Sequence, residues 1–75
     1  MILPSKHIPS RSSLLGVGGI LLSRVNRPIT ATSLWEQVRG LPEVGTYYRF
    51  VLALDLLFLI GAIDLNDGLL KRTAP

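Results

Sequence analysis

The sequence predicts a small α+β protein with the element order of a winged helix-turn-helix: three helices, a short strand near Ile29 and a C-terminal β-hairpin as the wing. Two observations carry this prediction. Residues 47–65 contain an apolar run of helix length that stops at Gly61. After it, Asp67-Gly68 separates two strand-like runs, and an Asp-Gly pair in that position is a strong hairpin signal.

The chain length bounds the fold and its stability. Seventy-five residues make one domain, 1–75, and a domain of this size buries only about 60% of its unfolded surface. There is no cysteine, so neither a disulfide nor a thiolate metal site adds stability, and the composition fits a reducing cytoplasm. Apolar residues make up 48% of the chain and charged residues only 17%. We therefore expect a partner protein or a membrane to cover part of the apolar surface.

A partner protein is favoured over a membrane as the structure that covers the apolar surface. Lys6 and Arg11 precede an apolar block, residues 14–22, in the outline of a signal peptide, but the block holds three glycines and no clear cleavage site follows. The apolar run of residues 50–63 is shorter than the roughly 20 residues of a membrane span and carries Asp55 at its middle. The sequence thus predicts a cytoplasmic protein without a membrane segment.

The charged residues indicate neither a nucleic-acid footprint nor a catalytic site. The net charge is +3, but only Lys71 and Arg72 are adjacent, whereas nucleic-acid-binding proteins cluster their cations along one stripe. His7 is the only histidine, and no pair of the five acidic residues has a catalytic spacing. The sequence predicts no enzyme activity, no metal, no cofactor and no small-molecule substrate.

The first part of the chain is predicted to form an arm, a helix and a strand. Residues 1–11 form an N-terminal arm, whose apolar start is an edge strand or lies on a neighbouring chain. The first helix runs from a cap at Ser12 or Ser13 to about Val25, and its glycines suit the close approach of another backbone. Residues 28–30 form the short strand.

The second helix begins at Ala31 or Thr32 and ends at Arg39. Its cap is Thr30, Thr32 or Ser33, the last of these through the S-x-x-E spacing of a capping box.

The third helix is the longest. It begins at Tyr47 after the cap Thr46 and ends at about Ile60, where Gly61 takes the left-handed conformation. Apolar residues fall on every side of its helical wheel, so no single face is predicted to be the core face. Trp35 of the second helix is predicted to fill the core.

Two four-residue runs, 62–65 and 69–72, form the wing, and residues 73–75 form a tail.

The third helix lacks the side chains of a DNA-recognition helix. Apart from Arg49 it has no basic residue, and Asp55 brings a carboxylate to the place where phosphates would lie. We expect Asp55 to pair with Arg49 or with a partner's arginine rather than to act as a base, because an unpaired buried carboxylate is costly. The candidate outward positions, one turn apart, are Tyr48, Val51 or Leu52, Asp55, and Phe58 or Leu59.

Short sequence words spread over nearly the whole chain carry a family resemblance. They are MILPSKH at residues 1–7, LLGVG at 14–18, SLWE at 33–36, FVLALDLL at 50–57, LIGAI at 59–63 and GLL at 68–70. With these words the sequence resembles the small middle component of bacterial ABC-three-component systems, of which Lamassu-type systems are examples.

The resemblance implies a winged-helix adaptor in a multi-protein antiviral or anti-plasmid defence complex. The expected partners are an SMC- or Rad50-like ABC ATPase and an effector subunit, often a nuclease, with any DNA contact made indirectly through the complex. The family brings no catalytic residue to carry over.

Two sets of candidate site residues follow. The partner contacts are expected on the arm, the third helix and the wing: Ile2, Leu3, Pro4, Tyr47, Tyr48, Arg49, Asp55, Phe58, Leu69 and Leu70. The alternative function, a small winged-helix DNA-binding regulator, uses four arginines on phosphates: Arg24, Arg27, Arg39 and Arg49.

Overall fold

The structure, a computed structural model, describes residues 13–73. These residues form three helices and a two-stranded antiparallel hairpin, so the predicted α+β class is confirmed. The order is consistent with a winged helix-turn-helix, and the predicted N-terminal arm lies outside the described residues. The elements are α1 (Leu14–Arg24), α2 (Ala31–Val38), α3 (Tyr47–Leu59), β1 (Ile63–Asn66) and β2 (Leu69–Arg72).

A hydroxyl side chain caps the start of each helix. In all three, the capping oxygen accepts a hydrogen bond from the backbone N–H three residues further on, at 3.0 to 3.2 Å. The capping residues are Ser13, Thr30 and Thr46. The capping-box alternative for α2 is wrong, because Thr30 caps the helix and Ser33 lies within its first turn.

The end of α3 is fixed by Gly61, as predicted. Its φ of 75° is in the left-handed region, where a residue with a Cβ is strained. Gly61 N donates to Phe58 O at 3.1 Å and Ala62 N donates to Leu57 O at 2.8 Å, which is the hydrogen-bond pattern of a Schellman motif. The chain therefore leaves α3 in a fixed direction, and β1 begins at Ile63, two residues after Gly61.

One face of α3 packs into the core. Phe50, Ala53, Leu54 and Leu57 are buried and recur at three- and four-residue steps. The prediction that α3 has no single core face is therefore wrong, since apolar composition on every side does not bring burial on every side. Trp35 is half-buried and packs at the edge of the core, so it is less enclosed than predicted. The largest fully buried side chains are Phe50, Leu21, Leu34, Leu70, Val17, Val25, Val38 and Val44.

The hairpin has the predicted two-residue turn. Asp67 and Gly68 have φ values of 54° and 76°, and positive φ at both central residues defines a type I′ turn, whose twist matches that of the strands. Ile29 and Leu70 exchange backbone hydrogen bonds of 3.1 and 2.7 Å, so the predicted short strand is present as a single bridge beside β2. β2 thus lies between Ile29 and β1, and β1 is the outer strand.

Thr73, the first residue of the predicted tail, follows β2 directly and bonds to the segment between α3 and β1. Its N–H donates to Ala62 O at 3.1 Å, and its hydroxyl donates to Gly61 O. These bonds close the open end of the hairpin beside the end of α3, because Gly61 and Ala62 connect α3 to β1. Residues 74–75 of the predicted tail lie outside the described residues.

α1 packs against α3 at Gly18. A Cβ built on Gly18 would lie 3.4 Å from Leu57 Cδ2 and 4.0 Å from Ala53 O, so the expected close approach of another chain segment holds there. It does not hold at Gly19, where a Cβ would meet nothing within 4 Å.

We predict opposite effects of leucine at these two neighbouring glycines. Gly18→Leu should lower the free energy of unfolding by about 1–3 kcal/mol, because the added side chain has to displace Leu57. Gly19→Leu should raise it by up to about 1 kcal/mol, because leucine has the higher helix propensity and open space around it. Urea unfolding of both variants measures this, and equal effects would contradict a close contact at Gly18.

Candidate protein-binding surface

The face of α3 opposite the core is largely apolar and exposed. Tyr48, Leu52, Asp55 and Leu59 follow one another at steps of four, three and four residues and define what we call the outer stripe. Tyr48 is 71% exposed and Leu59 is 84% exposed, while Leu52 is half-buried. Ile60, which follows directly, is 60% exposed. Large apolar side chains grouped this way on one helix are typical of a binding surface.

Asp55 lies at the middle of the outer stripe and is exposed. Its exposure agrees with its place among the candidate outward positions, and water solvates the carboxylate in the chain alone. Pairing with a partner's arginine stays a prediction. The predicted pairing of Asp55 with Arg49 is wrong, because the Arg49 guanidinium is directed to the loop before α3. Arg49 Nε donates to Val44 O at 3.2 Å and its Nη2 donates to Glu43 O at 3.4 Å. Arg49 thus fastens the loop before α3 to the first turn of that helix.

Aromatic side chains hold the start of α3 against α2. The Trp35 and Tyr47 rings meet edge to face with centroids 5.1 Å apart, and Phe50 lies 5.1 Å from Trp35 and 5.7 Å from Tyr47. Tyr47 is still 58% exposed. Its ring is therefore available to a partner while its orientation is already fixed by its neighbours.

The hairpin presents a different leucine from those predicted. Leu70 is 1% exposed, because β2 is covered on one side by Ile29 and on the other by β1, so as a partner contact it is wrong. Leu69 is half-buried. Leu65, which pairs with Leu70 from the outer strand, is 56% exposed and was missed. The buried and the exposed leucine differ in strand position, since Leu70 lies on the inner strand and Leu65 on the outer one. The alternation of apolar and polar residues in the sequence does not show this strand order.

Phe58 and Leu59 differ in exposure, and the residue chosen as a partner contact is the less exposed of the two. Phe58 is half-buried against the core, whereas Leu59 points outward on the outer stripe. Of the two alternatives given for this outward position, the structure exposes Leu59, which the list of partner contacts left out. Ile60 is also exposed and was not named as a candidate. The predicted contacts Ile2, Leu3 and Pro4 lie outside the described residues.

The four arginines of the DNA-binding alternative do not form one surface. Arg39 Nη1 lies 3.3 Å from Glu36 Oε2, and its guanidinium carbon lies 5.9 Å from the centroid of the Trp35 ring. Arg49 is directed to the loop carbonyls. Only Arg24 and Arg27 share a surface, the loop between α1 and α2.

The described residues contain neither a metal-ligand cluster nor a membrane-spanning helix. Across 13–73, no group of three or more His, Cys, Asp or Glu side chains lies close enough to hold a metal ion. No helix in this part of the chain has the length and apolar character needed to cross a membrane.

A small α+β domain with an uncovered apolar face on its longest helix has the surface of a protein-binding module. The family model of the ABC-three component (ABC-3C) system Middle Component 6 matches residues 3–73, and the chain belongs to this family. Neither the curated proteins nor the solved structures provide a match. As a middle component, the protein works with the other members of a multi-component system.

We predict that the two faces of α3 respond differently to truncation. Leu57→Ala should lower the free energy of unfolding by about 2–5 kcal/mol, because it leaves a cavity at the contact with α1. Leu59→Ala should change it by less than about 0.5 kcal/mol, because its side chain already faces water. Urea unfolding of the full chain compares the two, and a large loss for Leu59→Ala would mean that the outer stripe is covered within the chain.

Proposed function

We propose that the protein is a non-enzymatic adaptor that links an SMC-like ABC ATPase to an effector subunit of nuclease type. The complex would defend bacteria against phages or plasmids, as the resemblance to Lamassu-type systems suggests. The observation that carries the proposal is the outer stripe of α3, an exposed apolar surface on a chain that belongs to a middle-component family.

The composition of the outer stripe favours a protein over a nucleic acid as its ligand. Tyr48, Leu52 and Leu59 offer apolar contact, and the one charged member, Asp55, repels phosphates. A nucleic-acid-binding helix of the same fold presents cations and amides at these positions. The DNA-binding regulator is therefore the weaker function, since two of its four arginines are also engaged elsewhere.

The start of α3 is ordered before any partner binds. The aromatic contacts of Tyr47 and the hydrogen bonds of Arg49 to the preceding loop fix both side chains. A surface that is already ordered loses little side-chain entropy on association, so more of the contact energy appears as affinity. This supports a stable assembly role rather than a transient one.

Asp55 supplies selectivity within the apolar surface. A partner that covers the outer stripe removes water from this carboxylate and has to replace it with a cation or with hydrogen-bond donors. A partner with only apolar side chains at that point would bind poorly. We therefore expect the partner to place an arginine or lysine opposite Asp55.

Co-expression with the other components tests the adaptor role. Leu59→Glu should abolish or strongly reduce co-purification of at least one component, because it places an unpaired charge inside the interface. Thr32→Glu is the matched control, since it adds the same charge at an exposed position on α2 and should leave the assembly intact. Normal assembly of the Leu59→Glu variant would contradict docking through the outer stripe.

Charge reversal at Asp55 tests the expected cation on the partner. Asp55→Lys should weaken binding of the same component by at least about tenfold, because like charges meet in a desolvated contact. Asp55→Asn should weaken it less, because the amide still accepts a hydrogen bond. Affinity measured by calorimetry or surface plasmon resonance decides, with Thr32→Lys as the control for added charge. Equal effects of the two Asp55 variants would argue against a cation opposite this residue.

A further inference from the structure

The loop between α1 and α2 carries a concentration of positive charge that the sequence does not reveal. Two hollows, of about 390 and 310 Å³, flank this loop and share its residues Asn26, Arg27 and Pro28. The first hollow is completed by Arg24, Ile29, Ser33 and Gln37. The second is completed by Val25, Lys71 and Arg72 from the end of β2. We call these two hollows and the loop between them the basic loop surface.

The charge of the described residues is strongly divided. Residues 13–73 contain six Lys and Arg side chains, and four of them line the basic loop surface: Arg24, Arg27, Lys71 and Arg72. All five acidic residues of the chain are described, and none lines either hollow. Two of these acids lie on elements next to the basic loop surface: Glu36 on α2 and Asp64 on β1. Glu36 contacts Arg39, and Asp64 is the strand partner of Lys71, so it offsets part of that one charge.

One of these cations is held by a backbone contact, and the others are placed by the elements that carry them. Arg72 Nε and Nη2 donate to Leu22 O at 3.3 and 3.1 Å, which joins the end of β2 to the last turn of α1. Arg24 lies in the same last turn, where the negative end of the helix dipole favours a cation. Arg27 is exposed and lines both hollows, so it is the central cation of the surface.

We propose that the basic loop surface binds the phosphate backbone of nucleic acid without reading its bases. Arg24 and Arg27 have planar guanidinium groups, which match phosphate oxygens with two parallel hydrogen bonds. Arg72 donates to Leu22 O through Nε and Nη2, so it adds positive charge to the surface rather than a second two-bond contact. Asn26, Ser33 and Gln37 add neutral polar groups of the kind that commonly contact phosphates. The contact is direct and lies on the α1–α2 loop, away from the outer stripe of α3.

An acidic protein segment is the competing ligand, and the lining of the hollows disfavours it. Peptide binding relies on a few apolar or aromatic anchors seated in pockets. The first hollow offers only Pro28 and Ile29 as apolar lining, and the second offers Pro28 beside the buried Val25. Nucleic-acid binding needs no such anchor, because release of counterions by the cations drives it.

Fluorescence anisotropy with labelled DNA tests the proposal on the full chain. Two unrelated duplexes of about 20 base pairs should bind with similar affinity, and three to four phosphate contacts predict a loss of ~40- to 150-fold between 50 and 200 mM salt. Arg27→Gln should weaken binding to both duplexes and reduce the slope of log affinity against log salt by about 1. Arg39→Gln is the matched control, since it removes one arginine outside the surface and should leave the slope unchanged.

Several results would overturn the proposal, with circular dichroism used to show that each variant is folded. One is the absence of salt-dependent binding by the full chain at 50 mM salt. Another is an equal loss of DNA affinity for Arg27→Gln and Arg39→Gln, because the affinity would then depend on net charge alone. Tighter binding of poly-glutamate than of DNA at equal ionic strength, with the same dependence on Arg27, would assign the surface to an acidic protein segment. The Leu59→Ala variant should bind DNA normally, so failure of the adaptor role and failure of this proposal are separable.

Discussion

The contact between α1 and α3 is the interaction on which the rest of the structure depends. Gly18 lets the two helices approach at Leu57, and this contact decides which face of α3 turns inward. The remaining elements are an eight-residue helix and two four-residue strands. They complete the core on one side of α3, and among residues 13–73 no element covers the other side. The same packing that encloses Leu57 therefore leaves the outer stripe exposed.

The parts of the fold that depend on neighbouring residues could be predicted from the sequence. The Thr46 cap, the left-handed Gly61 and the Asp67-Gly68 turn are each fixed within a few residues, and each was predicted at its correct position. Helix and strand order followed from these signals. The same local chemistry did not decide between Thr30 and Ser33 as the cap of α2, because both have a hydroxyl at a suitable spacing.

The candidate site was predicted less well, because it depends on contacts between distant segments. Apolar composition alone does not show which side of α3 meets α1, so the sequence left Phe58 and Leu59 as alternatives for one outward position and predicted no single core face. Leu65 and Leu70 are both leucines on paired strands, but Leu70 lies on the inner strand beside Ile29 and belongs to the core, whereas Leu65 lies on the outer strand and is exposed. The basic loop surface joins Arg24 to Arg72 from opposite ends of the described chain, so the sequence shows these cations as scattered.

The exposed edge of the outer strand β1 is a possible site of aggregation. An unpaired strand edge is a template on which further chains add by backbone hydrogen bonding, and this is a common route to aggregation. Here the edge is only four residues long, carries Asp64 and Asn66, and belongs to a hairpin whose type I′ turn imposes a strong twist. These features discourage edge-to-edge growth. The outer stripe, by contrast, lies on a helix, whose backbone hydrogen bonds are already satisfied, so contacts made there depend on side-chain complementarity.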